Sequence, residues 1–240
     1  MKCSTAALPL LLALHLPLAI AQNACSSDGA PPPQALYERF ISADCAECWR
    51  DPSFAPGASA VVLDWIAPGR TGDEAPLSAA ARTDALTRLD AIGRPLPTTT
   101  DVHIAPVAQR LPGRLRVSFG PAVNDYVGTS ASYLGALPGG ASEGWTLWLA
   151  LVEQIAAGVE GTPVPRNLVR NLFQRTWSMH DQLSKKELFN LPRTTRWIER
   201  PAMYLAAGTN PERLALIGWM ENSKGQVVAT ARAECAAAKP

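Results

Sequence analysis

Proline punctuates this chain too densely for long helices. Of its 240 residues 21 are proline, and each removes a backbone donor and fixes φ, so helix interiors and central sheet positions reject it. The chain must therefore be built from short strands, turns and connecting loops. With 22 Lys+Arg against 21 Asp+Glu, a net charge of +1 and 47% hydrophobic residues, it is not a disordered polyelectrolyte. It also carries no global basic field for nucleic acid or an anionic membrane. The length suits one large domain or two small ones.

Met1-Lys2-Cys3 leads into an uncharged apolar run from Ala6 to Ile20, followed by Ala19-Ile20-Ala21 as an A-x-A site. This pattern predicts a signal peptide over residues 1–21, cleaved before Gln22. A retained anchor is disfavoured by Pro9 and Pro17 and by a run shorter than the roughly 20 apolar residues of a span. The expectation is a periplasmic or secreted protein with no integral membrane span after cleavage. Removal of Cys3 leaves Cys25, Cys45, Cys48 and Cys235, an even number that suggests two disulfides in an oxidising compartment. Three pairings are open. The economical one joins Cys45 to Cys48 and Cys25 to Cys235, and the second bridge would close almost the whole mature chain, worth about 5 kcal/mol by loop entropy.

Residues 22–34 form an extended lead-in ending in Pro31-Pro32-Pro33. Ala35–Ser42 reads as a strand running into Asp44-Cys45-Ala46-Glu47-Cys48-Trp49, and Ala58–Trp65 as a second, continuously apolar strand. A short helix between them must stop for Pro52 and Pro56. Leu77–Ile92 has a helical apolar face, with Ser78 as cap and Gly93 as stop. Strand, CxxC, strand and helix make an α/β pattern over residues 35–110, with a further β-like segment at Thr99–Ile104. From Gly113 the texture changes to seven short segments: Leu115–Phe119, Tyr126–Leu134, Trp145–Val152, Leu168–Phe173, Met203–Ala206, Leu214–Met220 and Gln226–Ala233. They predict an antiparallel β-sandwich over residues 113–236. Trp145–Val152 also fits a helix face, and Leu214–Met220 with Gln226–Ala233 reads as a closing hairpin.

A CxxC where a strand meets a helix carries dithiol–disulfide exchange. The helix N-terminus favours the thiolate of the first cysteine, and the second resolves the mixed disulfide. Cys45 is then the attacking nucleophile and Cys48 the resolving partner. Asp44 and Glu47 oppose ionisation of Cys45, with Arg50 as the nearest counterweight in sequence, so a comparatively poor oxidant is expected. The alternative is a non-enzymatic binding or structural module in which the CxxC is a static clasp. Zinc would need two further ligands, and His103 and His180 stand alone in sequence. No hydrolase, metalloprotease or nucleotide-binding motif is present, and nothing calls for a cofactor. Trp49 reads as a cover for the disulfide, Trp65 as the end of the second strand, and Trp145, Trp148, Trp177, Trp197 and Trp219 as core; the Arg166, Arg170 and Arg175 cluster, with Arg193, Arg196 and Arg200, reads as solvated strand faces.

Phe40-Ile41-Ser42-Ala43-Asp44-Cys45-Ala46-Glu47-Cys48-Trp49, Asn167-Leu168-Val169-Arg170 and the closing hairpin with Gly225 resemble, across about the whole mature chain, the exported bacterial domain of unknown function 1223 family. The resemblance implies an α+β protein: a thioredoxin-like α/β N-terminal domain followed by an antiparallel β-sandwich. It favours strands at Trp145–Val152 and Leu168–Phe173; thiol- or disulfide-bearing proteins as partners follow from the Cys45 and Cys48 chemistry. It also implies a proline facing the disulfide to dock substrate, for which Pro97 is the best candidate and Pro95 or Pro106 the alternatives. Trp49 and Arg50 depart from the family's two prolines after the second cysteine. The family names no reaction.

Overall fold

Apolar residues alternating with polar ones, and apolar runs broken by Gly, Pro and Asn, make strands the dominant regular element of the chain. The computed structural model describes residues 25–53, 56–57, 59–108, 111–135, 144–184, 186–191 and 195–235; residues 1–21, where a signal peptide is expected, lie outside them. In chain order the strands are β1 (Cys25–Ser26), β2 (Ala35–Ser42), β3 (Ala60–Ala67), β4 (Thr100–Pro106), β5 (Arg114–Val123), β6 (Tyr126–Leu134), β7 (Trp145–Ile155), β8 (Arg166–Trp177), β9 (Thr195–Glu199), β10 (Ala202–Tyr204), β11 (Leu214–Glu221) and β12 (Val227–Glu234). The α-helices are α1 (Ala46–Arg50) and α2 (Asp84–Ala91).

These strands form one mixed sheet in the order β10-β6-β5-β1-β12-β11-β7-β8-β3-β2-β4, with β9 added to β6. This corrects the expected fold class, a thioredoxin-like α/β domain followed by a separate antiparallel sandwich. The join that overturns it is the parallel pairing of β3 with β8 at Asp64↔Leu168, which carries hydrogen bonding from the N-terminal strands into the C-terminal ones. One core cluster accordingly mixes Leu36, Phe40 and Trp65 with Trp148, Val169 and Trp219. Helix is also scarcer than expected. Leu77–Ile92 divides into a 3-10 turn at Ser78–Ala80 and the eight-residue α2, which ends at Gly93 with φ +65°.

Around β2 the sheet has two covered faces. Leu36 and Phe40 of β2 share a cluster with Ala85 and Leu89 of α2, whereas Ile41 shares another with Trp49 of α1, Ile66 and Leu168. Alternation along the strand puts these on opposite faces. Helix α1 ends after one turn because Asp51, preceding Pro52, is extended at φ −72°, ψ 120°. Further along, the sheet curls so that β5 lies over β11. A Cβ on Gly218 would sit 2.6 Å from Val117 Cγ1. The β5–β6 hairpin turns on Asn124 and Asp125, both with positive φ, as a two-residue type I′ turn demands.

Candidate functional site

Both expected disulfides are present, Cys45–Cys48 with a sequence separation of 3 and Cys25–Cys235 with 210. Cys25 sits in β1, wedged between β5 and β12, and is buried. Its bridge ties β1 to the residue that follows β12. Cys45 and Cys48 are by contrast both partly exposed, at the point where β2 gives way to α1. Cys45 is the N-cap of that helix, and the Cys48 amide donates to Cys45 Sγ at 3.3 Å. The same amide is placed to stabilise a thiolate on Cys45 once the bridge opens.

The two carboxylates expected to oppose such a thiolate are engaged elsewhere. Asp44 accepts the Thr71 hydroxyl at 2.5 Å and the amides of Arg70 and Thr71 at 2.7 and 3.3 Å. The Thr71 hydroxyl and the Arg70 amide hold its carboxyl below the ordinary range. Gly69 permits that approach, since a Cβ there would stand 2.2 Å from Asp44 Oδ1. Glu47 pairs with Arg50 at 2.7 Å in solvent. The loops around the bridge are tied to the end of β2 by two amides: Ser42 donates to Thr99 O at 2.8 Å, and Leu77 to Ala43 O at 3.0 Å. Pro97 lies two residues before Thr99, so its loop is brought to the strand end carrying the disulfide. The described peptide bonds are trans, that of Pro97 included.

Beneath α1 the structure assembles side chains that the sequence reading took for surface. Arg166 of β8 is 1% exposed. Its Nη2 donates to the carbonyls of Trp49 at 2.7 Å and Asp51 at 3.1 Å, its Nε to Thr162 at 2.9 Å, and its Nη1 faces Asp64 at 3.4 Å. The guanidinium lies 5.1 Å from the Trp49 ring centroid, and the Trp49 indole N–H donates to Glu160 O at 2.8 Å. Asp64 also accepts Arg39 Nη2 at 2.6 Å and the Asn167 amide at 2.8 Å. Arg170 is buried as well, pairing with Glu153 at 2.6 Å where a register shift interrupts the β7–β8 ladder. Both arginines thus correct the solvated-face reading, whereas Arg175 is exposed. A groove of about 280 Å³ runs beside Trp49, lined by Ile66, Leu77, Ala80, Leu168 and Arg170 among others.

The opposite face of β2 carries a second buried ionic group. Arg88 of α2 grips Glu38 with Nε and Nη2, both at 2.8 Å. It meets Glu221 at 2.8 Å, off the line of a good hydrogen bond, and lies 5.1 Å from the ring centroids of both Trp148 and Trp219. Those indoles donate to Glu221, and His103 reaches Glu38 at 3.2 Å. His103 therefore stands alone in the sequence but not in space. Burial pushes the Glu38 carboxyl up, while the Arg88 charge and the His103 hydrogen bond outweigh it and leave the carboxyl below the ordinary range. His180 lies in the 3-10 turn Met179–Asp181.

Asp64, Arg166 and Glu38 shape the site without having been singled out for it in the sequence, although a signal existed for Asp64. A charge inside a continuous apolar strand, as in AVVLDWIA, must be paired once buried. Among the described residues no His/Cys/Asp/Glu cluster could hold a metal, and no helix is long and apolar enough to cross a membrane. The two disulfides suit a secreted protein. Comparison with protein-family models, curated proteins and solved structures gave no match.

Proposed function

We propose that the protein is an exported thiol–disulfide exchange protein whose working pair is Cys45 and Cys48. The observation that carries this reading is the contrast between the two bridges. Cys25–Cys235 spans 210 residues and ties down β1, whereas Cys45–Cys48 spans 3, is partly exposed, and sits on a helix anchored independently by Arg166 and Trp49. By loop entropy the long bridge is worth about 5 kcal/mol and the short one about 2 kcal/mol. Opening the short bridge therefore leaves the fold standing.

In the reduced form the Cys45 thiolate attacks a partner disulfide, forming a mixed disulfide and releasing one partner sulfur as thiolate. Cys48, deprotonated, then attacks Cys45 Sγ, which closes the Cys45–Cys48 bond and releases the second partner sulfur. Two electrons pass to the partner, and the reverse sequence oxidises a partner dithiol. The proposed partners are proteins bearing thiols or disulfides, met in the periplasm or outside the cell after removal of residues 1–21, with Pro97 on the loop that flanks the incoming chain. Membership of the domain of unknown function 1223 family belongs to the same proposal. With insulin as the disulfide substrate, Cys48→Ala should accumulate a reductant-sensitive adduct through Cys45, and Cys45→Ala should not. No adduct and no insulin turnover by the reduced protein would leave the static clasp as the reading.

A further inference from the structure

We infer that Arg166 is the positioning residue of the Cys45–Cys48 pair, setting how strongly the two sulfurs favour the bonded state. This rests on the exchange reading above and adds a residue from the C-terminal half, 118 positions beyond Cys48. The pair has two backbone anchors. Cys45 follows β2, which is hydrogen-bonded on both sides by β3 and β4. Cys48 rides on α1, a single turn too short to hold its own shape. What fixes α1 is the residue after Cys48. The Trp49 carbonyl and the Asp51 carbonyl both accept from Arg166 Nη2, the indole ring lies under the guanidinium, and the indole N–H is bound by Glu160 O.

Arg166 is fixed in turn by Thr162 and Asp64, so the chain of contact runs from β8 and the loop before it to Cys48. A turn held this way keeps the Cys48 sulfur close to Cys45 in the dithiol as well as in the disulfide. That raises the effective concentration of one sulfur toward the other and favours the bond. Asp64 is shared between Arg39 and Arg166, so a net positive charge stays at the cluster, and a lysine at position 166 retains that charge while losing the geometry. The planar fork that reaches two carbonyls, Thr162 and Asp64 together is what matters, and a lysine cannot reproduce it.

The test equilibrates the full-length mature protein with reduced and oxidised glutathione. Two glutathione thiols are oxidised to one glutathione disulfide as the Cys45–Cys48 bond becomes a dithiol, and alkylation with mass measurement counts the dithiol. Arg166→Lys and Thr162→Val are each expected to lower the effective concentration about tenfold, equal to about 30 mV for this two-electron couple. Circular dichroism establishes that each variant is folded; if Arg166→Lys is not, Thr162→Val carries the test, since it removes the oxygen that fixes Arg166 Nε and leaves the Arg39–Asp64–Arg166 contacts in place. Folded variants that keep the wild-type constant, or an Arg166→Lys variant matching wild type, overturn the inference. Because the constant is measured without any protein partner, lack of insulin turnover by the wild type refutes the exchange reading alone.

Discussion

Removing the two bridges one at a time should separate a structural disulfide from a working one. In the double variant Cys25→Ala/Cys235→Ala the unfolded chain regains the freedom of a 210-residue loop, a loss of about 5 kcal/mol on the loop-entropy scale. β1 keeps its Ser26↔Glu234 pair with β12 and its Cys25↔Phe119 and Ser26↔Ser118 pairs with β5, and Ser27 and Asp28 stay bonded to Val117 and Arg116, so the loss stays close to the loop-entropy value. In Cys45→Ala/Cys48→Ala the loop spans 3 positions and the loss is about 2 kcal/mol. Asp44, Leu77 and Arg166 still hold the neighbouring backbone. Urea unfolding followed by tryptophan fluorescence reports the difference. For an m-value of about 1–3 kcal/mol/M, a gap of about 3 kcal/mol places the two midpoints at least about 1 M apart, the Cys25/Cys235 variant unfolding first. Equal midpoints, or earlier unfolding of the Cys45/Cys48 variant, would refute the assignment of roles.

Other perturbations probe the frame. The folded Glu38 carboxyl lies below its ordinary value of 4.5, so its contribution is complete above that pH and disappears as pH falls through the lower folded value. Glu38→Gln should cost about 3–5 kcal/mol at neutral pH by leaving Arg88 short of a counter-charge, and should flatten the fall in urea midpoint below pH 4.5; an unchanged acid limb would count against the pairing. Gly218→Ala places a methyl 2.6 Å from Val117 and 3.1 Å from Leu149 and should cost about 1–3 kcal/mol in thermal or urea unfolding; a neutral effect would mean β5 does not lie over β11. Gly69→Ala must displace the Asp44 carboxylate, so hydrogen exchange at the Arg70 and Thr71 amides should accelerate. Unaltered protection at both amides would contradict that tie.

Local elements were legible where alternation and turn chemistry act within a few residues. Ala35–Ser42 is a strand as read, Trp145–Val152 extends to Ile155, and the closing hairpin pairs Ala215 through Glu221 with β12 around Gly225. What the sequence hid was adjacency. The pairing of Asp64 with Leu168 has no local signature, yet it turns two expected units into one sheet. β1 and β9 were missed because two and five residues carry little periodicity. Charge was misread for a related reason. Arg166 and Arg170 flank Asn167-Leu168-Val169 like residues of a wet face, and only the neighbours Asp64 and Glu153, brought from elsewhere in the chain, make their burial affordable. At the candidate site, the cysteines and their pairing were visible in the sequence, and the clamp that holds them was not.

Whether Cys45–Cys48 exchanges or merely clasps is decided by its reduction potential, measured in the intact protein with Cys25–Cys235 still oxidised. In an exchange protein the short bridge opens reversibly at a potential above about −300 mV, with the tertiary fold unchanged. A potential below about −300 mV, the regime of structural disulfides, or loss of the folded state on reduction, would contradict it.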